Sequence, residues 1–155
     1  MTTFRQAVPW FGPVVEQVML ERPFCRLLCF VPDPLLLGGF ANVAQTAVLV
    51  CAPLAGHHAV LLRQFVPALL PDHDVYVTDW NDARRVPVAE GPFHPDDYVT
   101  EVRTFVLDIG VEQLHVLALC QATVPALAAV SLLANAEGTD PQKPDPDGRP
   151  DRRPP

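Results

Sequence analysis

The sequence predicts an α/β fold: a mostly parallel sheet with helices on both faces and antiparallel strands on its N-terminal side. Three observations carry this. Strand-like runs alternate with helix-like runs, the pattern of βαβ units. The run from Thr46 to Ala52 (TAVLVCA) is apolar and rich in β-branched residues, as in a central strand buried on both faces. Two short apolar runs precede this alternation with no helix between them, as at an antiparallel edge.

The elements follow in order. Residues 13–20 and 24–31 are apolar runs separated by Glu21-Arg22-Pro23, which predicts two adjacent strands. Pro32-Asp33-Pro34 ends the second, and residues 35–45, with Gly38-Gly39, read as a loop. The central strand follows over 46–52. Residues 57–70 carry Val60, Leu61, Phe65 and Leu69 at helical spacing. Residues 75–78 predict a strand that ends at Asp79-Trp80. The segment 81–95 is irregular, with Pro87, Gly91, Pro92 and Pro95. A helix is predicted over 96–109 from the stripe Val99, Val102, Phe105, Val106 and Ile109, with Gly110 at the C′ position. Residues 114–119 (LHVLAL) predict a strand and 123–136 an Ala-rich helix. If Thr123 is its N-cap, Pro125 falls in the first turn, where a missing N–H costs nothing.

Composition narrows the functional classes. The 155 residues suffice for one ordinary domain. Hydrophobic residues are 49 % and charged residues 19 %, so a core can form. A net charge of −7 disfavours a nucleic-acid binder, which needs a basic face. It equally disfavours docking on an anionic membrane. Residues 138–155 hold six Pro, four Asp, three Arg and one Lys and no apolar residue. Three regions are therefore expected: an N-terminal segment over 1–13, an α/β domain over 14–136, and a disordered Pro/Asp/Arg-rich tail over 137–155.

No secretory signal opens the chain, so a cytoplasmic location is expected, with Cys25, Cys29, Cys51 and Cys120 as reduced thiols. Residues 116–134 run 19 positions without a charge. Gln121, Thr123 and Pro125 interrupt them and no basic residue flanks them, so a buried strand running into a buried helix is expected rather than a membrane span.

The strongest chemical signal is Ala118-Leu119-Cys120-Gln121-Ala122. A strand ends there and a helix starts within a few residues, the layout of a nucleophile elbow. Such a turn crowds the positions two before and two after the nucleophile, and both are Ala. The backbone N–H after the nucleophile, that of Gln121, is placed to hold an oxyanion, aided by the positive end of the helix. A second donor is expected from the loop after the central strand, where Ala52-Pro53-Leu54-Ala55-Gly56 offers the N–H of Leu54 or Ala55.

Other polar groups carry less. Adjacent His57 and His58 point about 100° apart on a helix, so they do not form a chelating pair. Cys25 and Cys29 share a strand face but lack a second pair at zinc spacing. No metal and no cofactor are expected. Asp79 and Trp80 close a strand at its carboxyl end, where α/β sheets place ligands. They continue into Asn81-Asp82-Ala83-Arg84-Arg85, which also suits a local Asp–Arg network that fixes the loop. Asp96-Asp97 complements a helix start.

These residues resemble a known family. APLAGHHA (52–59), Leu70-Pro71-Asp72-His73, Val75-Tyr76-Val77-Thr78-Asp79-Trp80 and Asp82-Ala83-Arg84 look like the intracellular polyhydroxybutyrate depolymerases. So do Val86-Pro87-Val88, Glu90-Gly91, Leu114-His115-Val116, Cys120-Gln121 and Val124-Pro125, and, nearer the start, Val15-Glu16-Gln17 and Glu21-Arg22-Pro23-Phe24-Cys25. The resemblance covers most of residues 14–134. It implies an α/β-hydrolase-like domain with Cys120 as nucleophile, acting on poly(3-hydroxybutyrate) at the surface of storage granules. The implied chemistry is ester hydrolysis or thiolysis through an acyl-cysteine, with Gln121 and Ala55 as oxyanion donors and His57, His58, Asp79 and Trp80 along the substrate. The polyhydroxyalkanoate synthases are a related alternative, but Thr78-Asp79-Trp80 and Asp82-Ala83-Arg84 fit the depolymerases better. A non-catalytic granule- or partner-binding module is another.

Two departures stand out. The family usually has Pro where Ala122 stands. Its members run to roughly 400 residues, beyond a single small core, and carry the triad Asp and His far downstream of the nucleophile. The expectation is therefore an N-terminal portion, with a sheet incomplete at its C-terminal side, poorly stable alone and inactive. The composition of 138–155 is also what a GC-rich gene yields when read out of frame.

Overall fold

A computed structural model describes residues 4–5, 14–32, 46–54, 65–70, 72–110 and 113–138. The described strands are β1 (Phe4–Arg5), β2 (Val14–Glu21), β3 (Cys25–Pro32), β4 (Ala47–Cys51), β5 (Asp74–Trp80) and β6 (Leu114–Ala118). The helices are α1 (Phe65–Leu69), α2 (Pro95–Ile109) and α3 (Thr123–Gly138). The mixed α/β expectation holds. β1, inside the expected N-terminal segment, is not legible in the sequence, because two residues carry no readable period.

The strands form one sheet in the order β1-β2-β3-β5-β4-β6. β1, β2, β3 and β5 pair antiparallel in succession; β4 lies parallel to both β5 and β6. The expected antiparallel N-terminal strands are present, and β4, β5 and β6 run parallel. Three of the five described pairings are antiparallel, however, so the sheet is mixed and not mostly parallel: β3 joins it through β5 rather than standing apart at an edge. A register shift between Val18 and Leu20 bulges β2 and leaves Met19 half exposed.

β4 is buried along its whole length, as its composition required. Alternate residues serve opposite faces. Val48 and Val50 join Leu28, Phe30, Val75 and Val77 beneath Val66 and Leu70 of the α1 region. Leu49 and Cys51 join Cys25 and Leu27 beneath Tyr98, Val102 and Phe105 of α2 and Ala122, Ala126 and Ala129 at α3. Helices thus cover both faces.

The predicted α2 stripe is right at Val102 and Phe105, which are fully buried, and only partly so at Val99, Val106 and Ile109. Gly110 caps α2 in the left-handed conformation (φ 62°), where a Cβ is unfavourable. Asp97 accepts a hydrogen bond from the His94 N–H (2.6 Å), so its charge serves the helix start as expected. Of the helix predicted over 57–70, residues 55–64 lie outside the described residues.

The uncharged stretch 116–134 is the end of β6, a short 3-10 turn and most of α3. Among the described residues no helix is long and apolar enough to cross a membrane. α3 runs two residues past its predicted end, to Gly138. Val124, Leu127, Val130 and Leu132 of α3 and Leu107 of α2 are exposed.

Candidate active site

Cys120 sits where β6 turns into α3. Leu119 is still extended (φ −112°, ψ 129°), and its N–H donates to the Cys51 carbonyl of the neighbouring strand (3.2 Å). Cys120 then takes φ 53°, the one positive φ of a non-glycine residue among those described. A Cβ in that region crowds the backbone, so the conformation persists only where surroundings impose it.

Those surroundings are visible. Residues Cys120–Ala122 form a single 3-10 turn, closed by the Ala122 N–H on the Leu119 carbonyl (3.0 Å). Ala122 is wholly buried against the α2 face of the sheet, and Ala118 packs beside the same cluster. The full burial of Ala122 favours a compact residue there. The Cys120 carbonyl accepts from both the N–H and the hydroxyl of Thr123 (2.9 Å for the hydroxyl). Thr123 is already helical (φ −60°, ψ −46°), which corrects its expected N-cap role. The chain passes from strand through turn to helix with no separate cap, and Pro125 still falls in the first turn.

The four cysteines divide sharply. Cys25, Cys29 and Cys51 are buried and Cys120 is exposed; all four are free thiols. Burial pushes Cys51 up to about 12 and Cys29 to about 11, and raises Cys25 well above its ordinary value with help from the carboxylates of Glu101 and Asp79. These three stay protonated and inert. Among the described residues no group of three or more His, Cys, Asp and Glu side chains is disposed to hold a metal.

The expected second oxyanion strand adjoins the turn. Cys51 of β4 is register partner to Ala118 of β6, so the segment leaving β4 starts beside Cys120. Its first residue is clamped. The Ala52 N–H donates to Thr78 Oγ1 (2.8 Å), and the Ala52 carbonyl accepts from Trp80 Nε1 (2.9 Å) and the Tyr98 hydroxyl (2.8 Å). The Trp80 ring lies 4.3 Å from that of Tyr98 and 5.5 Å from that of Phe93, centre to centre. Ala55, His57 and His58 lie outside the described residues. Gln121 is exposed at the amino end of α3.

Asp79 is buried and paired with Arg26 of β3. Asp82 accepts from the Arg84 backbone N–H (3.0 Å) and from Arg84 Nε (3.1 Å), and this bond to Arg84 holds its carboxyl below the usual range. The Asp–Arg network expected of this loop is therefore built. Arg26, Asp79, Trp80, Asn81 and Arg85 line a cavity of about 470 Å³ at the carboxyl end of β5.

His73 and His115 belong to the opposite edge of the sheet. His115 is the register partner of Val48, near the start of β4. The Nδ1 of His73 lies 2.6 Å from the hydroxyl of Thr46, just before β4, and the two imidazole rings meet edge to face at 6.2 Å.

Sequence reasoning missed Thr78, Tyr98 and Arg26. Each acts through a partner at least 26 residues away, and no local pattern signals such a bond. Comparison of the chain with protein-family models, curated proteins and solved structures finds no match.

Proposed function

We propose that Cys120 is the nucleophile of an acyl-transfer enzyme of the α/β-hydrolase type, and that its substrate is the aliphatic polyester poly(3-hydroxybutyrate). One observation carries the reading: an exposed cysteine holds a positive φ on a tight strand-to-helix turn, while the other three thiols are buried. Backbone strain concentrated on one reactive side chain is a mark of functional sites. The buried Ala122 and the adjoining end of β4 are what a nucleophile elbow needs around it. The choice of polyester rests on the family resemblance of residues 14–134.

The chemistry balances simply. The Cys120 thiol gives its proton to a base, and the sulfur adds to the ester carbonyl carbon. The carbonyl electron pair moves to oxygen, where the N–H of Gln121 and one from the loop after β4, Ala55 by sequence, would hold it. Collapse breaks the C–O bond, and the alkoxide takes a proton as it leaves. Water or a thiol then releases the acid from the acyl-cysteine. His73 and His115 stand at the wrong edge of the sheet to serve as base; the resemblance implies a His later in such chains. Under this reading the protein works on granules inside the cell, without cofactor or metal.

The test is covalent trapping. The chain is incubated with p-nitrophenyl butyrate and with amorphous poly(3-hydroxybutyrate) granules. A butyryl adduct on Cys120, absent in Cys120→Ala, is expected to accumulate, because the described residues place no base to hydrolyse it. Equal acylation in Cys120→Ala refutes the assignment. The exposed Val124 and Leu127 of α3 favour one second reading, adsorption to a hydrophobic polymer without chemistry. Its signature is equal granule binding by both forms with no acyl adduct on either.

A further inference from the structure

The cavity beyond β5 is not used by the chemistry at Cys120. Its volume of about 470 Å³ is in the range of small-molecule sites. Trp80, Val86 and Pro87 give it an apolar wall. Its charges are mostly spent. Arg26 is paired with Asp79, and Asp82 is held by Arg84. Arg85 is the one lining charge that has no ion-pair partner among the described residues. The Nε of Arg26 is itself buried, with no acceptor among the described residues, so it adds uncompensated positive character behind this wall.

The backbone of Arg85 is also held in place. It ends a 3-10 turn (Ala83–Arg85) whose first residue follows the capping Asp82, and its own N–H donates to the Asp82 carbonyl (2.8 Å). A planar guanidinium on a fixed turn suits a carboxylate. Arg85 makes no ion pair of its own among the described residues, although its charge also acts on Asp82, and one such cation beside two paired carboxylates suits one negative charge and not several.

Register fixes where this cavity stands. Val50 of β4 is level with both Val77 of β5 and Leu117 of β6. Trp80 and Cys120 each follow three residues later, so they share the carboxyl edge, two strand spacings or roughly 10 Å apart.

We infer that this cavity is a subsite for a small monocarboxylate, the acid end of an aliphatic hydroxy-acid chain, with Arg85 as its counter-charge. The choice of acid rests on the ester-cleaving reading of Cys120; the anion preference rests on the cavity alone. A chain seated by its acid end has a neighbouring ester within reach of Cys120, so cleavage runs from that end.

The test uses the full chain as Cys120→Ala, which prevents turnover, and as Trp10→Phe, which leaves Trp80 the only indole. Trp80 fluorescence is followed on titration with 3-hydroxybutyrate, its linear trimer and the methyl ester of each. Acids are expected to bind at least tenfold tighter than their esters. Arg85→Gln is expected to remove that preference and Arg85→Lys to keep part of it. A trimer that binds tighter than the monomer assigns the chain end; equal binding assigns the released acid, and the anion subsite stands in both cases. Esters that bind as well as acids, or unchanged binding in Arg85→Gln, overturn the inference. Acyl trapping at Cys120 is a separate readout, so either proposal fails alone.

Discussion

Replacing Cys120 by glycine is expected to yield a more stable protein than replacing it by alanine, although both remove the thiol. The residue holds φ 53° and its side chain is exposed, so neither change opens a core cavity. A Cβ in the left-handed region costs about 1–2 kcal/mol. Glycine loses more backbone freedom on folding than alanine, which returns about 0.5–1 kcal/mol. The midpoints leave Cys120→Gly ahead of Cys120→Ala by about 0.8 kcal/mol. With a urea m-value near 2 kcal/mol/M the midpoints differ by about 0.4 M, and the melting temperatures by about 2 °C. Urea titrations followed by far-ultraviolet circular dichroism measure this directly. A Cys120→Gly protein that unfolds at lower urea than Cys120→Ala refutes the idea that the turn imposes strain on its central residue.

Four further outcomes follow from the same packing. A disulfide reagent at pH 8 should modify one thiol quickly in the folded chain, at Cys120, and the other three only after unfolding, as read by mass. Cys51 and Cys29 titrate higher folded (about 12 and 11) than at their ordinary value of 9.0, so the native state holds protons that the unfolded state releases. Their contribution to stability is complete below pH 9 and is lost as pH rises from 9 toward 11–12, which urea midpoints at pH 8 and pH 10 will show. Arg26→Met removes the guanidinium from the buried Arg26–Asp79 pair and should cost about 3–5 kcal/mol, while Arg26→Met with Asp79→Leu recovers most of that loss. Gly110→Ala puts a Cβ at φ 62° and should cost about 1 kcal/mol in the urea midpoint.

Much of the fold is legible in the sequence by itself. The run of Ala47–Cys51 announces a strand buried on both faces because every residue is apolar and most are β-branched or small. The stripe through Val102 and Phe105, closed by Gly110, announces α2 for the same local reason: a period of 3.6 residues and a glycine where the chain must turn left-handed. The small residues around Cys120 mark a sharp turn, since crowding there is a property of a few adjacent positions.

What the sequence could not determine is who meets whom. That β5 lies between β3 and β4, and that β6 borders β4, follows from which apolar faces bury one another, a choice made over the whole sheet. The clamp on Ala52 joins Thr78, Trp80 and Tyr98 across 26, 28 and 46 residues. The pair Arg26–Asp79 spans 53, and no local period relates its ends. Tyr98 shows the boundary well: its place on α2 reads as core packing, yet its hydroxyl fixes the backbone beside the candidate nucleophile. Only tertiary structure sets that bond, because hydrogen bonds between distant segments exist only after the sheet has brought the segments together.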